Sequence, residues 1–210
     1  MIDITTYNVT MILTNCYLLT DRETGEMAVV DPGDRSEKLI EKINANGGKL
    51  TYVLLTHGHF DHIGYAKQLA DLYGAKIVCG KKTDKFLSDN SLNLSLYHDE
   101  IENIAPFKGD ILLDDNESIK LGNTEITYIT TPGHTDGCGC YIFDNNIITG
   151  DTIFCESYGR TDFPTSSITD LMASCKKIKE LDGDYNICPG HGLCSTLSHE
   201  RIYNPLMSRV

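Results

Sequence analysis

Three histidines and an aspartate fall within six residues in HGHFDH, positions 57–62. Neutral imidazole nitrogens and carboxylate oxygens together suit a borderline divalent ion such as zinc. In an extended loop, alternation sets His57 and His59 on one side; Asp61 and His62, arriving after a turn, can face a second ion. Two further loops repeat the chemistry, with His134 in TPGHTDG and His191 in PGHG. Asp151, in IITGDT, adds a carboxylate beside Gly150, which lets the chain turn sharply at a strand end. His57, His59, Asp61, His62, His134, Asp151 and His191 are more ligands than one tetrahedral ion needs. Two ions use all seven if a carboxylate is shared, and Asp151 is the one able to bridge. Ions about 3.5–4 Å apart would activate a bridging hydroxide and polarise a scissile carbonyl. A purely structural zinc site favours thiolates and closed coordination, which this set does not offer. His98 and His199 lie outside such loops and read as ordinary polar residues.

The elements that must position these loops follow the same logic. MILTNCYLLT, EMAVVDPG and TYVLLT read as strands, the last directly before the first histidine loop. SEKLIEKINANGG carries Leu39, Ile40 and Ile43 at helical spacing, with Ser36 as N-cap and Gly47 as stop. YAKQLADLYG is a second amphipathic helix. Residues 81–110 are polar and weakly periodic, and read as a helical excursion. Strand signals return in ILLDD, ESIKL, TEITYIT, CGCYIF and NNIIT; SSITDLMASCKKIKEL is a helix, YNICPGHG a strand running into a histidine loop, and SHERIYN a short closing helix. Strands with interspersed helices in two similar halves predict an α/β fold of two sheets packed face to face, helices outside. The expected organisation is one domain over residues 1–210.

The chain has 210 residues, with 40% hydrophobic and 23% charged, which excludes general disorder. A formal charge of −12 with no basic track speaks against a nucleic-acid partner. The N-terminus shows no signal peptide, and no apolar run is long enough to span a membrane, so a soluble cytoplasmic protein acting on a small molecule is expected. The oligomeric state leaves no signature. Eight cysteines without a secretory signal are expected to be reduced thiols, and Cys138 and Cys140 to be packing residues.

NCYLL, VVDPG, LLTHGHFDHIG, TPGHTDGCGC, TGDTIF, GRTDFP, PGHGLCST and ERIYNPLM together resemble the metallo-β-lactamase superfamily, and within it the small glyoxalase II-like hydrolases. The resemblance implies an αββα sandwich of two mixed β-sheets flanked by helices. It assigns His57, His59 and His134 to one ion, Asp61, His62 and His191 to the other, and shares Asp151. It implies hydrolysis of a thioester by a hydroxide bridging two divalent ions, zinc favoured, iron or manganese possible, with Asp61 also orienting the hydroxide as a catalytic residue. A lactone or other activated acyl compound suits the same site. His62 stands where zinc β-lactamases carry a non-ligand Arg, which disfavours antibiotic hydrolysis; His59 stands where flavodiiron proteins carry Glu, which disfavours oxygen reduction. The chain ends soon after PGHG, so the helical domain that binds glutathione in larger glyoxalase II enzymes is not expected. GRTDF and TPGHTDGC also resemble persulfide dioxygenases, which use one iron held by two histidines and the aspartate; this is the alternative reading. Arg160 and Asp162 are expected to form a buried bidentate pair that fixes the loop carrying Asp151 and touches no substrate.

Overall fold

The computed structural model describes residues 1–98 and 104–210. The first half builds a mixed sheet from β1 (Ile2–Val9), β2 (Thr14–Asp21), β3 (Met27–Val30), β4 (Leu50–Leu54), β5 (Lys76–Gly80) and β6 (Ile111–Leu113), in that spatial order. The β1–β2 and β2–β3 pairs are antiparallel, and β3 to β6 pair in parallel. Parallel pairing needs crossovers. These are supplied by α1 (Glu37–Ala45) between β3 and β4, and by α2 (Phe60–Ile63) with α3 (Ala66–Tyr73) between β4 and β5. Ser36 caps α1 by accepting from the Leu39 amide, and Gly47 follows it at φ +89°, as the sequence predicts.

The second half builds β7 (Glu117–Leu121), β8 (Thr124–Thr130), β9 (Gly139–Phe143), β10 (Asn146–Gly150), a small hairpin of β11 (Ile153–Phe154) and β12 (Ser157–Tyr158), then α4 (Ile168–Lys179), β13 (Asn186–Pro189), β14 (Ser195–Thr196) and α5 (Leu197–Tyr203). Its sheet runs β14-β13-β10-β9-β8-β7, antiparallel except for the β10–β13 pair. Between the sheets, Tyr17, Leu19, Val30 and Leu54 meet Ile126, Tyr128, Tyr141 and Ile148. On the outer face of the first sheet Val29, Val53 and Ile77 pack against Leu39, Ile43 and Leu69 of the helices. On the outer face of the second, Ile129, Ile147 and Ile187 pack against Leu171, Cys175 and Leu197. The layers are therefore α, β, β, α, the expected sandwich.

Five strands escape a reading of local pattern: β1, β5 and the two-residue β11, β12 and β14. β1 is mostly solvent-facing and carries Thr, Tyr and Asn rather than an apolar alternation, and it pairs in register from Ile2–Asp21 to Val9–Thr14. That hairpin shortens the strand expected in MILTNCYLLT: Thr10 and Leu13 turn at φ +62° and +59°, and β2 begins only at Thr14. β5 needs its parallel neighbours to be recognised. The excursion expected over 81–110 falls partly outside the described residues; what is described of it includes short helical turns at Asp84–Ser88 and Ser95–Tyr97.

Candidate metal centre

Every residue singled out for metal chemistry lies in the segment that follows the C-terminal end of a strand: His57 to His62 after β4, with Asp61 and His62 in α2, His134 after β8, Asp151 after β10, His191 after β13. The turn expected between His59 and Asp61 is the first turn of α2, with His59 at its N-cap. Gly150 adopts φ +49°, so the sharp turn before Asp151 is real, and a Cβ there would meet Thr56 Oγ1 at 2.3 Å. Gly190 is equally constrained, since a Cβ would lie 2.2 Å from Asp151 Oδ1. Glycine lets the His191 loop close onto the carboxylate.

The seven side chains converge. Ligand atoms of His57, His59 and His134 form one group; those of Asp61, His62 and His191 form another. Asp151 lies between them, Oδ2 being 3.5 Å from His134 Nε2 and 3.7 Å from His191 Nε2, while Oδ1 is 3.4 Å from His62 Nε2. Asp61 Oδ2 is 3.2 Å from both His62 Nε2 and His191 Nε2. His134 Nε2 and His59 Nδ1 face each other at 2.9 Å. Two ligands on one tetrahedral ion with bonds of about 2.0–2.1 Å stand roughly 3.3 Å apart. The spacing therefore suits ligands aimed at common points.

The electrostatics point the same way. His57 Nε2, His62 Nε2 and Asp151 Oδ1 are buried with no hydrogen-bond partner, a costly arrangement unless something else meets them. Burial holds His57 well below the usual histidine range, with its histidine neighbours adding to it, and holds His59 down at about 3. Both imidazoles are thus neutral and able to donate a lone pair. Burial also opposes charge on His62, yet Asp61, Asp151 and Asp31 outweigh it and push His62 well above its ordinary value. Burial likewise opposes charge on Asp61, which His62 and a hydrogen bond with His191 nevertheless hold well below the carboxylate range. Buried carboxylates in this number call for positive charge, and divalent cations fit the donor set.

The profile of the metallo-beta-lactamase superfamily matches residues 9–191, which span all seven side chains. The chain belongs to that superfamily. It is 35% identical over 204 residues to the hydroxyacylglutathione hydrolase GloC of Haemophilus influenzae, covering 95% of each chain. Among solved structures, the B3 metallo-beta-lactamase BLEG-1 superposes with a TM-score of 0.90 at 30% identity, covering 98% of this chain and 100% of that one. TTHA1623, solved in a di-iron-bound form, superposes with a TM-score of 0.82 at 26% identity, covering 96% of this chain and 98% of its own.

Behind this cluster lie residues that the sequence pattern does not single out. The buried Asp31 carboxylate accepts from the Thr56 amide at 2.8 Å and the Thr56 hydroxyl at 2.6 Å. It also meets His62 Nδ1 at 2.9 Å, which fixes that proton on Nδ1 and frees Nε2 for a ligand role. Thr14 donates to Asp61 Oδ2 at 2.9 Å. The signal for Asp31 was an acidic residue closing the apolar run AVV before Pro-Gly, a strand end like the one before Asp151.

The buried Arg160–Asp162 pair requires correction. The pair is bidentate, at 2.9 and 2.8 Å, but the side chains are 68% and 65% exposed. The main chain, not the ion pair, reaches the site: His134 Nδ1 donates to the Arg160 carbonyl at 2.8 Å. Residues two apart in an extended segment project together to solvent while the carbonyl between them turns inward. Arg160 also stacks on Phe163 at 4.4 Å, and the Phe163 ring stands edge-on to His59 and His134. Cys138 and Cys140 are buried packing residues. His98 is exposed against Phe60, and His199 pairs with Glu156 at 3.0 Å.

Proposed function

We propose that the chain is a single-domain metal-dependent hydrolase that cleaves a thioester at a two-metal site. The observation that carries this reading is the pair of three-residue groups with Asp151 between them. His57, His59 and His134 would hold one ion, Asp61, His62 and His191 the other, and Asp151 both. Two divalent ions there, zinc favoured by the imidazole–carboxylate set with iron or manganese also acceptable, would activate water and polarise the scissile carbonyl.

The chain's own residues do the rest. Asp61 stays ionised and spends Oδ2 on Thr14 and the histidines. Oδ1 has no hydrogen bond from the described residues and is available to accept one from the attacking water and orient it. Asp31 and the Arg160 carbonyl keep His62 and His134 in fixed tautomers. A leaving thiolate needs no strong acid, because thiol pKa values lie near about 8.5, and the site offers none. The hydroxyacylglutathione hydrolase relative supports a thioester of a hydroxy acid as the substrate class. Eight free cysteines support a reducing, cytoplasmic setting. No helix among the described residues is long and apolar enough to cross a membrane.

Because a B3 metallo-beta-lactamase is among the similar structures, a β-lactam belongs in the substrate panel despite His62. The test is metal analysis of the purified protein with parallel assays on an S-acyl thiol, a lactone, a β-lactam and a persulfide. Two ions per chain and turnover led by the thioester are expected. One iron with oxygen-dependent persulfide turnover would replace this reading with a dioxygenase.

A further inference from the structure

Cys188 in β13 and Cys194 just before β14 flank the His191 loop, and hydrolysis uses neither thiol. β13 and β14 run antiparallel, Asn186 opposite Thr196 and Ile187 opposite Ser195. Continued one step past its last pair, that register would bring Cys194, just before β14, opposite Cys188, with His191 midway between them in the loop. The Leu197 amide donates to the Tyr185 carbonyl at 2.8 Å. That makes 185/197, and by alternation 187/195, the hydrogen-bonded pairs. Cys188 and Cys194 then occupy a non-hydrogen-bonded position, where facing Cα atoms approach to about 4.5 Å. A disulfide spans Cα atoms about 4.4–6.8 Å apart. A register continued to these two residues thus has the spacing a bridge needs.

The two thiols differ in a useful way. Cys188 is 5% exposed and packs in the core between the sheets, whereas Cys194 is exposed. The proximity of the two thiols pulls Cys194 down to about 6 and pushes Cys188 up. An accessible thiolate with a protonated thiol facing it is suited to attack followed by resolution.

We propose that Cys188 and Cys194 are a redox-active dithiol, a modification site distinct from the metal ligands, whose oxidant is a small organic disulfide. Cys194 Sγ attacks one sulfur of that disulfide; its S–S bond breaks and one thiolate leaves, taking up a proton. Cys188 then releases its proton, bonds to Cys194 Sγ and displaces the second thiol. Two protein thiols are oxidised and one disulfide is reduced to two thiols. The resulting bridge ties together the two ends of the His191 loop.

The metal-loaded full chain is incubated with 2-hydroxyethyl disulfide, a neutral probe that the acidic protein does not repel, and mapped by peptide mass spectrometry. The expected first product is a Cys188–Cys194 bridge without a retained adduct, reversed by dithiothreitol. Cys188→Ser should leave the mixed disulfide on Cys194. Cys194→Ser should slow oxidation at Cys188 by at least about tenfold, because the remaining thiol is buried. A wild-type end product that keeps the adduct on Cys194, a first bridge between other cysteines, or undiminished oxidation in Cys194→Ser would each overturn the proposal. None of these readouts depends on hydrolysis.

Discussion

His57, His59 and His134 are 0%, 2% and 3% exposed, whereas His191, on the other side of Asp151, keeps 24% of its side chain open to solvent. The closed side is backed by β4, β8 and the rings of Phe86 and Phe163. The open side borders Gly192, Leu193 and Cys194, all exposed, and joins the β1–β2 hairpin through the bond from the Asn15 amide to the Gly190 carbonyl at 2.7 Å. Met11, Ile12 and Leu13 at the tip of that hairpin are 75%, 55% and 63% exposed. Burial keeps His57 and His59 unprotonated, whereas the exposure of His191 gives the other side of the proposed metal site room for a substrate and for ion exchange. The centre is therefore asymmetric even though both groups contain three ligands.

Asp151 is the residue common to both sides, so Asp151→Ala should have the largest effect. Metal content should fall on both sides, and hydrolysis should drop by at least about a hundredfold, beyond the effect of losing an outer partner. Retention of two ions in this variant would show that the sides do not share it. The next contrast is between His57→Ala, which should lose both ions, and His191→Ala, which should keep about one, read by metal analysis after dialysis. Equal losses would abolish the distinction between closed and open. Asp31→Asn tests the support behind His62, and a metal affinity lower by about 10–100-fold is expected from competition with a chelating dye. An unchanged affinity would leave Asp31 a packing residue.

Thiol chemistry sharpens the same contrast. Because Cys194 is held at about 6, it is already a thiolate above that pH. Its alkylation rate should fall only about twofold between pH 7 and 6, against roughly tenfold for an ordinary thiol near 8.5. Cys138, on the closed side, is pushed up to about 12 by burial and should stay unlabelled throughout. A tenfold fall at Cys194 would show its thiolate is not stabilised. The smallest effect is expected from Arg160→Ala, since the side chain is in solvent and the carbonyl that holds His134 survives the change. Metal content should be unaltered and the melting temperature should move by no more than about 2 °C. A marked loss of metal would restore a structural role for the ion pair.

The candidate metal ligands were legible because the capacity to bind metal is a matter of residue type and short spacing. HGHFDH, TPGH, TGD and PGH each place ligands beside glycines at strand ends, and the strands before them are short apolar runs with little ambiguity. The sandwich was legible for the same reason: apolar strands and amphipathic helices can bury their faces in few ways. Other features depended on what packs behind a residue. Asp31 lies 26 positions before His57 in the chain, and only the parallel pairing of β3 with β4 sets its carboxylate against Thr56 and His62. The direction in which Arg160 and Asp162 point follows from how the segment after β12 lies across His134, which no local spacing encodes. β1 could be placed only by its long register with β2, because its own side chains mostly face water. By itself the sequence determined which groups could bind metal and that strand ends would present them. Tertiary structure alone decided which of those groups are desolvated, which proton each imidazole keeps, and which thiols face each other, since each of these is set by neighbours distant in the chain.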